Sequence, residues 1–90
     1  MILARVVGNV VATQKHAKFH GAKLLLVQPI DLDEQDDGNE LLAVDTVGAG
    51  AGETVLVVIE GRSTSHAMQI EKAPANAAII GIVDRIDLDR

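Results

Sequence analysis

Five stretches of the chain concentrate its aliphatic residues, and each shows a spacing that a β-strand would use. Residues 2–13, ILARVVGNVVAT, alternate with a period of two, which puts successive side chains on opposite faces of a strand. Ile2, Ala4, Val6, Val10 and Ala12 fall on one face, and Leu3, Arg5, Val7, Asn9, Val11 and Thr13 on the other. Gly8, in the middle, predicts a bulge or bend of the kind that curves a sheet into a barrel. Residues 21–30, GAKLLLVQPI, form the second strand, and Pro29 near its end suits an edge or a strand exit. Residues 41–47 (LLAVDTV), 54–60 (TVLVVIE) and 77–86 (AAIIGIVDRI) give the third, fourth and fifth.

The intervening segments read as turns. Residues 31–40, DLDEQDDGNE, combine carboxylates with Asp-Gly-Asn turn chemistry and predict a solvated hairpin loop. Between the fourth and fifth strands, Ser63, Thr64 and Ser65 can cap one or two helical turns through about Glu71, and Pro74 prevents continuation. The order β-β-β-β-(short α)-β in short strands points to an all-β fold with small α content, a Greek-key or related partly open barrel. No internal repeat or linker divides the chain, so residues 1–90 are expected to form one domain.

The strands also predict an assembly. A sheet wet on one side alternates apolar with polar residues. Leu24 to Val27, Val55 to Ile59 and Ala77 to Ile80 are apolar at consecutive positions, hence on both faces. A barrel interior accounts for one face; the other would expose a larger apolar patch than a soluble monomer tolerates. Copies of the same chain in a closed, symmetric homo-oligomer would cover it. Composition agrees: 48% of residues are hydrophobic, but Phe19 is the sole aromatic and there is no cysteine. Neither a large aromatic core nor a disulfide can supplement so short a chain.

Charge then narrows the partners. A net charge of −5 and a pI near 4.9 argue against nucleic acid, which demands a basic footprint, and against an anionic membrane surface. No apolar run reaches the roughly 18 residues of a spanning helix, and Ile2-Leu3-Ala4-Arg5 after Met1 shows no basic n-region of a signal peptide. A soluble, intracellular protein is expected.

Candidate chemistry is sparse. Gly48, Gly50 and Gly52 within AVDTVGAGAGETVLVV (43–58) suggest a phosphate cradle, but Glu53 stands where a dinucleotide fingerprint needs its third glycine, and a strand follows instead of a helix. A P-loop lysine is also absent, and Asp45 and Glu53 would repel an anion. A tight turn with positive φ and close backbone approach is the better reading. Near a symmetry axis this loop (Asp45, Gly48, Ala49, Gly50, Gly52, Glu53), or the neighbouring Gly61, Arg62, Ser63 and Thr64, would meet its symmetry mates. His16 and His20 lie in a basic connection without a third metal ligand, and His66 beside Ser63 and Ser65 lacks a nucleophile elbow. The acidic run Asp31, Asp33, Glu34, Asp36, Asp37 lacks the closing spacing of a calcium loop, its glutamate coming at Glu40. No catalytic residue, cofactor or metal site is expected. The end of the chain, DRIDLDR, alternates Ile86 and Leu88 with Asp87 and Asp89, an apolar edge expected to lie along a neighbouring subunit.

The segments GNVVATQK, GAKLLLVQPID, LLAVDTVGAGAGETVLVVIEG and AAIIGIVD resemble, in order and spacing, the bacterial microcompartment vertex proteins of the EutN and CcmL types. The resemblance implies an OB-like five-stranded barrel and a cyclic homopentamer. Such pentamers close the vertices of a polyhedral shell, in the cytoplasm, whose facets are hexameric shell proteins. It implies a structural protein and no enzyme. Arg5, Lys15, Lys18 and Lys23 would then be candidate facet contacts. The family commonly reads Gly-Ser-Ser-Ala-Arg after the fourth strand, where this chain reads Gly61-Arg62-Ser63-Thr64-Ser65-His66-Ala67; if that turn, and not the Gly48–Gly52 loop, lines the axial opening, Arg62 would alter its charge. That opening is expected to be narrow and sealed. Two rival readings are an OB-type nucleic-acid module, which would need stacking aromatics, and a small oligomeric enzyme with a site at subunit junctions built from His66 and Glu53.

Overall fold

A computed structural model describes residues 1–11, 23–59 and 77–89. Five strands, β1 (Ile2–Val10), β2 (Lys23–Ile30), β3 (Leu41–Asp45), β4 (Thr54–Ile59) and β5 (Ala77–Val83), form a closed barrel in the order β1-β2-β3-β5-β4. Four neighbouring pairs are antiparallel, and β3 and β5 are parallel. Antiparallel alternation cannot close on itself with an odd number of strands, so one parallel pair is obligatory. The expected helix through Glu71, with its caps Ser63, Thr64 and Ser65, lies outside the described residues, and among the described residues there is no helix.

The interior is narrow, and its lining mixes small and large side chains accordingly. Ala4, Ala43, Ala49 and Ala77 pack with Val6, Leu25, Val27, Val55, Val57 and Ile79. β2 is apolar on both faces as its sequence predicts: Leu25 and Val27 point into this core, while Leu24 and Leu26 take the opposite face with Val44 and Leu42 of β3, where Leu24 and Val44 are buried and Leu42 is 37% exposed. Pro29 lies beyond the last β2–β3 pair, Val27 with Leu41. On that side the acidic loop takes over from β3: Asp37 N–H donates to the Pro29 carbonyl at 2.9 Å and Ile30 bridges Asp36.

Two bulges shape the wall. In β1, Val6 faces Val27 and Gly8 faces Leu26, so one extra residue, Val7, is inserted. The insertion shifts the alternation by one. Val10 therefore sits opposite Leu24 on the outer wall, not with Ala4 and Val6 as strict alternation from Ile2 requires. In β5, Val57 faces Ile79 and Leu56 faces Gly81, leaving Ile80 as the extra residue.

Two strands end earlier than their hydrophobic patterns. β3 stops at Asp45, whose side chain turns the chain, and not at Val47. β5 stops at Val83, where its β4 partner runs out at Thr54. Residues 84–89 continue without strand pairing.

Candidate functional site

Residues 46–53 join β3 to β4 and close one end of the barrel. Asp45 organises the first half. Its Oδ1 accepts hydrogen bonds from the backbone N–H of Val47 (3.0 Å), Gly48 (3.0 Å) and Ala49 (3.2 Å). Lys23, opposite Asp45 in the β2–β3 register, places Nζ 3.6 Å from Asp45 Oδ2 and donates to the Ala49 carbonyl at 3.1 Å. The Asp45 side chain is 1% exposed. Ala49 drops into the core beneath it.

Glu53 organises the second half. Its Oε1 accepts from Gly50 N–H at 2.6 Å, and its own N–H donates to the Gly50 carbonyl at 3.1 Å. Gly52 N–H donates to the Val6 carbonyl (2.8 Å) and Val6 N–H to the Glu53 carbonyl (2.9 Å), which fastens the loop to β1 beside its bulge. Gly48 and Gly52 adopt φ of 80° and 85°. A Cβ at either would meet nothing within 4 Å, so each glycine is required here by its backbone conformation and not by crowding within the chain.

Successive backbone N–H groups in a tight turn make an anion-binding concavity. Here the anion is already present: the carboxylates of Asp45 and Glu53 take the donors a phosphate would need. The loop is a self-filled nest. Asp45, Gly48, Ala49, Gly50, Gly52 and Glu53 are thus brought together at one barrel end, whereas Gly61, Arg62, Ser63 and Thr64 lie outside the described residues, as do His16, His20, His66, Lys15 and Lys18.

The acidic loop is exposed but anchored. Asp31 Oδ1 accepts from Asp33 N–H (2.9 Å) and Gln35 N–H (3.0 Å). Asp36 pairs with Arg5 at 3.0 Å, and the buried Gln28 amide donates to the carbonyls of Gly38 (3.0 Å) and Pro29 (2.9 Å). Two rim charges, Arg5 and Lys23, therefore have partners within their own chain. Sequence reasoning missed these anchoring roles. The available signal was a polar residue, Gln28, set in the apolar run LLLVQPI. Among the described residues no three His, Cys, Asp or Glu side chains converge on a metal position.

Ile86 and Leu88 occupy the tail that follows β5. Ile86 is half-buried and, with Glu34, Thr54, Val83, Asp84 and Arg85, lines a cleft of about 280 Å³. Leu88 is 40% exposed.

Comparison with known proteins adds the context this geometry lacks. The family model described as "Ethanolamine utilisation protein EutN/carboxysome" matches residues 1–84. The microcompartment shell vertex protein EutN of Salmonella typhimurium is 42% identical over 86 residues, covering 96% of this chain and 86% of its own. The carboxysome shell vertex protein CcmL of Synechococcus elongatus is 36% identical over 89 residues, covering 99% and 88%. The solved structure of GrpN, a pentameric microcompartment shell protein from Rhodospirillum rubrum, superimposes with a TM-score of 0.83 at 37% identity, covering 99% of this chain and 100% of that one.

Proposed function

Given that the chain belongs to the EutN/CcmL family of microcompartment shell vertex proteins, we propose that it caps shell vertices as a homopentamer whose outer rim docks onto hexameric facet proteins. It is a structural shell protein and not an enzyme. Its place is the microcompartment shell within the cytoplasm. One observation carries the reading: over nearly its full length the chain shares both sequence and backbone with a pentameric shell protein.

The finer points are the reading's own. Residues 1–90 act as one vertex domain, and the closed five-stranded order with a single parallel pair supports the OB-like description. The Asp45–Glu53 loop and the turn Gly61, Arg62, Ser63, Thr64 lie at the subunit interface or the axial opening. The bare outer surface at Gly48 and Gly52 supports this, because small residues let symmetry mates approach without clash. On the same reading, Ile86 and Leu88 of the tail contact a neighbouring subunit. No cofactor, nucleic acid or membrane is required. No helix among the described residues is long and apolar enough to cross a membrane.

Co-expression with hexameric shell proteins tests vertex capping. Electron microscopy should show closed polyhedra when this chain is present and open sheets or tubes when it is omitted. Closed polyhedra without it, or its exclusion from the shells, would overturn the reading.

A further inference from the structure

Among the aspartates of the chain, Asp37 alone is followed by glycine. An aspartate carboxyl and the backbone nitrogen of the next residue can close a five-membered succinimide, and a side chain on that next residue obstructs the approach. Glycine leaves the nitrogen bare. The other aspartates precede residues with side chains, and several are held in place. Asp31 accepts two backbone N–H groups, Asp45 accepts three, and Asp36 and Asp87 pair with Arg5 and Arg85. Asp37 and Gly38 are exposed, and among the described residues neither the Asp37 carboxylate nor the Gly38 N–H has a hydrogen-bond partner.

The loop leaves this one peptide group free between two anchors. On one side, Asp37 N–H donates to the Pro29 carbonyl at 2.9 Å. On the other, the Gly38 carbonyl accepts from the Gln28 amide at 3.0 Å. The peptide group that joins Asp37 to Gly38 makes no hydrogen bond among the described residues, so it can turn between the anchors and bring the Gly38 nitrogen to Asp37 Cγ. Gly38 has a φ of 107°, and a Cβ there would meet nothing within 4 Å. The space admits the ring, and the left-handed φ favours the one residue that exposes the nitrogen.

We propose that Asp37–Gly38 is a site of spontaneous aspartate isomerisation that releases the acidic loop from β2 as the protein ages. The Gly38 nitrogen bonds to Asp37 Cγ and gives up its proton; a carboxylate oxygen departs as water, taking that proton and one from solvent. Water then opens the ring. Attack at the side-chain carbonyl restores aspartate, and attack at the main-chain carbonyl yields isoaspartate, with no net change in atoms and no oxidant or cofactor. The main chain now runs through Asp37 Cβ and Cγ, one methylene longer between the anchors. The Gly38 carbonyl moves off the Gln28 amide, which is buried, so the lost partner is not replaced freely by water. The reaction is independent of how many copies assemble.

The test incubates the native protein for weeks at neutral pH, alone and in concentrated urea. Isoaspartate is then labelled by protein isoaspartate methyltransferase and placed by electron-capture fragmentation, because the mass does not change. The label should accumulate at position 37 in the folded protein, exceed that at all other aspartates together, and be lost in Asp37→Glu, whose ring would need six members. Backbone amide exchange over residues 31–40 should be faster in the aged protein than in fresh protein, and unchanged by ageing in Asp37→Glu. Label at position 37 only in urea would show that the fold protects the site and would overturn the proposal. So would label spread evenly over the aspartates, or label at position 37 with amide exchange in the loop unaltered.

Discussion

Asp45 is the residue on which the barrel end depends. Three backbone N–H groups and Lys23 converge on its buried carboxylate, so removing it leaves donors without partners. Asp45→Ala should destabilise the protein by about 2–4 kcal/mol, read by chemical denaturation at fixed protein concentration. Asp45→Asn keeps an acceptor and should cost less. Lys23→Ala should cost under about 1 kcal/mol in ion pairing, since the lysine is half exposed. The glycines separate by conformation. Gly48→Ala and Gly52→Ala force a side chain into the left-handed region and should each cost about 1–2 kcal/mol. Gly50→Ala, without that φ and with only ordinary contact to Glu53 Oε1, should stay within about 0.5 kcal/mol of the parent. Equal effects at all three would remove the conformational explanation.

At the scale of elements, the barrel and the tail should respond separately. Leu25 is buried in the core, and Leu25→Ala should cost about 2–5 kcal/mol, depending on how far the narrow interior collapses. Residues 84–89 lie outside the sheet, so deleting 85–90 should leave the far-ultraviolet spectrum of the barrel intact while weakening assembly. An unchanged oligomer after that deletion would remove Ile86 and Leu88 from the interface. The same elements explain what the sequence made legible. All five strands were visible because Val, Ile and Leu recur at strand spacing, and Gly8 announced its bulge. The face of Val10 was not visible, because a bulge adds one residue to the count and nothing local says whether the alternation resumes or shifts. The end of β3 at Asp45 was hidden for a related reason. Thr46 and Val47 have strand propensity, and only a tertiary fact, the Asp45 carboxylate capping the next turn, ends the strand. The glycine loop was correctly read as a turn, but its defining feature, donors already taken by two carboxylates of the same chain, depends on side-chain direction that spacing alone does not give.

At the scale of the whole molecule, a 90-residue chain has little interior to bury. Leu26, Leu42, Leu56 and Ile80 remain on the outer wall, and a ring covers aliphatic surface that a free monomer leaves in water. Folding and assembly are therefore coupled, and the melting temperature should rise with protein concentration. A melting temperature independent of concentration across the range where subunits dissociate would contradict that coupling. The central claim is a ring of five, and native mass spectrometry of the purified protein tests it most directly. The account predicts a single dominant species of five times the 9.5 kDa chain. A stable monomer, or a ring of six, would contradict it.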